Sequence, residues 1–269
     1  IKNEDPFYNA ILMNDSDDLN PFIPTATALG LDQSMGEFNL GQNRKIFSNQ
    51  LDAKLDYYHI INQKSTLNLT LGSILSYQAF DSSIFQFLSD GSSTSPTPII
   101  NESSVINDVT YNFRDVYLGT HYRLKSGIFT ITPGFSIHAY ANKNEQNNTL
   151  VEESFIRLLP DFETRIQLKK SESITFNYRM QNQFTDVTRL AQGLVLNNYN
   201  SIQFGTPNLQ NALSHNLSLI YRSFNLFNYT NVFARLAYTN NIDQIRSLTN
   251  FESIIRTSTF FNSNFSDES

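Results

Sequence analysis

The sequence predicts an all-β fold: an antiparallel up-and-down transmembrane β-barrel, or a fragment of one. Three observations predict it. Long stretches alternate apolar and polar residues with a period of two, the signature of a strand with one face against an apolar medium and one against water. These stretches pair into hairpins with tight polar joints at one end and long connections at the other, the asymmetry of short periplasmic turns and long extracellular loops. The 269-residue chain is also poor in charge and rich in aromatics, with 16% charged residues, 22 Phe and 13 Tyr. That balance suits a barrel with aromatic girdles and an Asn/Ser/Thr-rich interior. The absence of Trp counts mildly against it.

Residues 1–44 read as an extracellular loop region, with Asp15, Asp17 and Asp18 followed by Pro21 and Pro24 and little sustained period. The clearest hairpin follows, over residues 45–77. Its first arm puts Leu51, Ala53, Leu55 and Tyr57 on one face and Asp52, Lys54 and Asp56 on the other. The second arm sets Leu67, Leu69 and Leu71 against Asn68, Thr70 and Gly72. Each arm exceeds the ~5–6 residues of an ordinary strand and suits a tilted span of ~9–11 residues plus flanks. Taken alone, this hairpin fits a soluble sandwich equally well. The segregation of the loops decides for the membrane barrel.

Further alternation predicts about nine antiparallel strands, over residues 45–60, 66–79, 108–124, 128–141, 153–169, 173–183, 212–223, 229–246 and 250–262. Within 108–124 the apolar parity slips at Arg114-Asp115, which reads as a β-bulge. Long loops are expected over 80–107 and 183–211, and a polar loop over 142–148. Leu51, Leu55, Leu67, Leu71, Ile131, Phe135, Leu217 and Leu219 are expected on the lipid side, with Asn68, Thr132, Asn216 and Ser218 inside. A charge toward lipid costs up to ~2–4 kcal/mol at the midplane. Asp52, Lys54, Asp56, Asp161, Glu163, Arg165 and Arg179 are therefore expected to face the lumen.

Other chemistry finds little support. A net charge of −6 with no basic stripe excludes a nucleic-acid partner. The lack of Cys excludes disulfides and thiolate metal sites. His59, His121, His138 and His215 stand singly, without metal spacing. Asp15, Asp17 and Asp18 lack the Gly and closing Glu of a calcium loop. No catalytic motif or cofactor signature is present. The chain shows no opening Met and no secretory leader, and it reads as a fragment of a longer protein.

Three stretches resemble one known family. GTPNLQNALSHNLSLIY, residues 205–221, is similar to a G-N-P-N-L-x-P-E loop leading into an alternating strand, and Gly205, Pro207, Asn208 and Leu209 match it. Thr206 replaces the usual Asn, and Gln210-Asn211-Ala212 departs from x-P-E. LLPDFETRIQLKKSESITFNYR, residues 158–179, and ITPGFSIHAY, residues 131–140, resemble two of its recurrent strand segments. The family is that of the TonB-dependent receptor barrels of Bacteroidota. The resemblance implies a barrel of about 22 strands with an N-terminal plug domain outside this fragment. It also implies outer-membrane lipid around the wall, a TonB-type energising partner engaged through parts absent here, and import of a scarce nutrient such as a siderophore, glycan or peptide. The alternative is a non-transporting outer-membrane barrel acting as an adhesin or structural surface-binding protein. No enzyme is expected.

Overall fold

A computed structural model describes residues 1–15, 20–98, 104–225, 227, 229–252, 254–263 and 267–268. Asp17 and Asp18 lie outside the described residues. Strands β1 (Lys2–Glu4) and β2 (Phe7–Met13) run end to end along β3 (Glu37–Asn62), with helix α1 (Phe22–Leu29) between β2 and β3. There follow β4 (Ser65–Phe87), the short β5 (Ser93–Thr94), β6 (Ile106–Ser126), β7 (Phe129–Gln146), β8 (Thr149–Lys169) and β9 (Glu172–Gln183). A folded connection carries α2 (Val187–Leu190), β10 (Val195–Asn198) and β11 (Ser201–Gln203). The chain continues through β12 (Ala212–Asn225), β13 (Thr230–Ile242), β14 (Gln244–Glu252), β15 (Ile255–Ser263) and β16 (Asp267–Glu268). One 12-stranded sheet runs β1-β3-β4-β6-β7-β8-β9-β12-β13-β16, with β2 along β3 and β5 beside β4. β10, β11, β15 and β14 form a separate four-stranded sheet. Among the described residues, no helix is long and apolar enough to cross a membrane.

Register fixes the two faces of the large sheet, because directly paired residues point the same way. One row crosses eight strands: Tyr58, Asn68, His121, Gly134, Asp161, Arg179, Asn216 and Thr239. We call this the inner face, since the folded connections pack against it. The opposite face carries Leu51, Leu55, Leu67, Leu71, Ile131, Phe135, Leu217 and Leu219. Its apolar side chains meet no core: Leu55 is 68% exposed, Leu236 72% and Ile156 74%. A contiguous apolar face of this size has no place in water. On β4 it runs from Leu67 to Tyr77, about 25 Å of height at ~3.3 Å per residue and a barrel's tilt.

The structure corrects four expectations. Residues 1–44 are not loop, because β1, β2, α1 and the start of β3 lie there. Span 250–262 does not join the wall; β14 and β15 pair with each other and with β11. The expected loop over 142–148 is the end of β7 and a two-residue turn at Asn147 and Asn148, with φ of 48° and 59°. Asn tolerates that left-handed conformation, which matches the twist of the hairpin. Finally, no bulge interrupts β6. Its pairing with β4 is continuous from Ser65↔Leu124 to Ser83↔Ile106. The inner face of β6 simply changes character, from Val109, Tyr111 and Phe113 under the folded connections to Asp115 and His121 beyond them. The wall strands also run past the expected limits at this end, β4 reaching Phe87 and β6 starting at Ile106.

The facing assignment predicts opposite responses to charge. In the full-length protein refolded into phospholipid vesicles, Leu71→Arg is expected to destabilise by ~2–4 kcal/mol. Asn177→Arg on the inner face is expected to shift stability by under about 1 kcal/mol. Urea titration of both variants checks this, and equal costs would reverse the facing.

Candidate functional site

The connections at the loop end fold back onto the inner face and form a cap. One apolar cluster joins Phe38 and Leu40 of β3 and Ile84 of β4 to Phe22 and Leu29 of α1, Leu196 of β10, Ile202 of β11 and Ile255 of β15. The Phe22 ring lies flat on Phe38, with centroids 4.2 Å apart. A second cluster packs Val187, Leu190, Val195 and Leu209 on Phe80, Val109, Tyr111, Phe113 and Tyr140. Each large side chain buried this way contributes about 1.5–3 kcal/mol.

Between these apolar contacts the wall presents amide side chains to the backbone of the cap. Gln42 of β3 donates from Nε2 to the Leu196 carbonyl at 2.8 Å, and its Oε1 accepts from the Leu196 N–H at 2.8 Å. Asn107 of β6 accepts from the Gly193 N–H at 2.7 Å and donates to the Leu194 carbonyl at 3.4 Å. Gln146 of β7 accepts from the Gln192 N–H at 3.0 Å and donates to the Leu190 carbonyl at 3.0 Å. Gln78 of β4 accepts from the Val187 N–H at 3.1 Å. A primary amide carries one acceptor and donors in one plane, so it can replace a neighbouring peptide group. Gln42, Asn107 and Gln146 are all at most 3% exposed. A buried peptide group left without such a partner costs about 1–3 kcal/mol.

The expected loop motif lies inside this cap. Gly205 packs against the backbone of Arg189 and Ala191, where a Cβ would collide with the Arg189 carbonyl. The Thr206 N–H donates to the Arg189 carbonyl at 2.8 Å, and the Pro207 carbonyl accepts from Asn144 Nδ2 at 3.1 Å. Leu209 is buried in the second cluster, while Asn208 is exposed. Thr206 Oγ1 donates to the Phe260 carbonyl, tying the motif to β15.

Beyond the cap the inner face is polar. The charged residues predicted there fall into two groups rather than one. Asp52, Lys54 and Asp56 sit on β3, where Lys54 Nζ lies 3.0 Å from Asp56 Oδ2 and Thr70 donates to Asp56 at 2.6 Å. Asp161, Glu163 and Arg165 on β8 and Arg179 on β9 are four strands away or more. At ~4.8 Å per strand the groups stand roughly 20 Å apart. Between them lie residues that sequence reasoning passed over. His121 crosses Gly134 to reach Asp161 at 2.9 Å, a path that a Cβ on Gly134 would block. Asp115, 1% exposed, is met by His138 Nδ1 at 2.9 Å, and His138 Nε2 lies 2.9 Å from Ser136 Oγ. The imidazole is wedged between the rings of Tyr117 and Tyr140, at 4.7 and 5.4 Å. Asp115, His121, His138, Tyr140 and Asp161, with Arg179, line an open recess of about 650 Å³. His121 and Asp161 are 40 residues apart, so no local spacing could have paired them.

The amide bridges predict that Gln42→Leu loosens the cap without touching the wall. Hydrogen exchange at the Leu196 amide should quicken by about tenfold or more, the equivalent of ~1.4 kcal/mol, while Leu71 in β4 stays protected. Unchanged exchange at Leu196 would show that the apolar clusters alone hold the cap.

No protein-family model matches the chain, and no curated protein sequence matches it. Solved structures do. The chain is similar to the hemophore receptor HasR of Serratia marcescens, solved with its hemophore HasA and heme, with a TM-score of 0.55 and 11% identity over 86% of this chain. It is similar to FpvAI, solved in complex with pyocin S2, with a TM-score of 0.51 and 12% identity over 83% of this chain. The matches cover 39% and 29% of those two proteins, so the chain spans well under half the length of either. At such identity the likeness speaks for the fold. With its exposed apolar outer face and its antiparallel neighbour-to-neighbour topology, the chain has the fold of part of an up-and-down transmembrane β-barrel wall, the fold it shares with those two proteins.

Proposed function

We propose that the chain forms part of an outer-membrane receptor barrel that imports a scarce nutrient, energised from the periplasm by a TonB-type partner. The observation that carries this reading is the cap: the long connections of a many-stranded wall are folded against its inner face rather than left free. A wide lumen narrowed from within must choose what passes. The fold likeness to a hemophore receptor and to a pyocin-binding receptor supports the same reading, as does the 205–209 motif. In this reading Asp52, Lys54, Asp56, Asp161, Glu163, Arg165 and Arg179 line the lumen, and the outer leucines meet lipid.

Growth competition under limiting iron, carbon and nitrogen tests the proposal in cells with and without the full-length gene. The gene is expected to confer an advantage in at least one limiting condition, and loss of the energising partner is expected to abolish it. An advantage that survives loss of that partner would favour a surface-binding barrel instead.

A further inference from the structure

Charge is unevenly distributed over this wall. The chain carries a net charge of −6. Yet from Glu153 on β8 to the end of β13 the register turns five arginines inward: Arg157, Arg165, Arg179, Arg222 and Arg235. Three carboxylates, Glu153, Asp161 and Glu163, share that surface. Asp161 is already engaged by His121. Among the described residues, none of the five arginines forms an ion pair with a carboxylate. Two of them have neutral partners: Arg157 donates to Asn182 Oδ1 at 2.7 Å and lies over the Phe155 ring at 4.9 Å, and Arg222 lies over Phe233 at 5.8 Å.

The positions have a geometry. Lys125, Thr130, Arg165, Thr175, Ile220 and Arg235 form one row across the sheet near the short-turn end. At ~4.8 Å per strand, Arg165 and Arg235 are roughly 15 Å apart. Arg179 stands four residues along β9 from that row, about 13 Å at ~3.3 Å per residue. Among the described residues, the amides that bind the cap come from β3, β4, β6 and β7, and none comes from β8, β9, β12 or β13.

We infer that the inner face of β8, β9, β12 and β13 is an anion-binding surface, and that the solute handled by the barrel carries more than one carboxylate or phosphate group. Guanidinium forks bind both groups in a bidentate manner, and cationic linings select anions in other pores. Cations gathered on one face of a wall also concentrate anions from solution. The inference deepens the receptor reading and rests on it for passage; the anion contact stands without it.

The test uses the full-length protein in detergent micelles, titrated calorimetrically with tripolyphosphate, with tricarballylate and with spermidine. Both anions are expected to bind, more weakly as salt rises, and spermidine is expected not to. The triple variant Arg165→Gln, Arg179→Gln, Arg235→Gln should lose at least about tenfold in anion affinity, whereas the corresponding triple Lys variant should keep most of it. Arg114→Gln, on the outer face, should change nothing. Equal binding of spermidine, anion affinity unchanged in the Gln variant, or no anion binding at all would overturn the inference. The last result would assign the arginines to the acidic surface of an internal domain. Arginine-dependent anion binding in a protein whose growth advantage survives loss of the energising partner would remove the import and keep the anion surface.

Discussion

Peptide groups that enter the interior of a barrel need hydrogen-bond partners, and the cap depends on how this wall supplies them. A loop pressed against a sheet face cannot join the ladder, because the ladder's N–H and C=O groups point along the sheet. Gln42, Asn107 and Gln146 solve this from the side, each turning a planar amide toward the loop backbone. The apolar residues around them, such as Phe38 and Val109, exclude water, which makes those bonds the available ones. Burial and hydrogen bonding therefore act together: the clusters hold the cap down, and the amides set its register.

The same arrangement explains which parts of the fold were legible. Where the inner face of a strand is free of the cap, alternation is unambiguous, as at Leu51-Asp52 or Leu217-Ser218, and the strands are legible. Toward the loop end the inner neighbour is no longer water but folded protein. The inner face of β6 then reads Val109, Tyr111, Phe113, and its apolar residues mimic a change of parity. For the same reason Phe80 and Ile84 on β4 looked like a loop's beginning although they are strand. Period two reports a difference between two media, and it fails where the two become alike.

The site was less legible than the fold. The seven charged candidates followed from the polar faces, but their division into two groups depends on strand order across the sheet. The pairings Asp115–His138 and Asp161–His121 join separate strands, and each histidine looked solitary in sequence. The motif at 205–209 was found by resemblance, but its local role was hidden. Gly205 is needed because the Arg189 backbone passes against it, a contact that exists only after α2 has docked.

The small sheet also carries a consequence for the order of assembly. β15 pairs in parallel with β11, placing Ser201 beside Arg256, and the whole of the β12–β13 hairpin lies between them in the chain. Closing so long a loop is slow unless its ends are already near each other, and only that hairpin brings the chain back to the same end of the sheet. Nearest-neighbour wall hairpins need no such preparation. The parallel β11–β15 pairing of the cap therefore depends on the course of the wall between its two strands, whereas the wall hairpins do not depend on the cap.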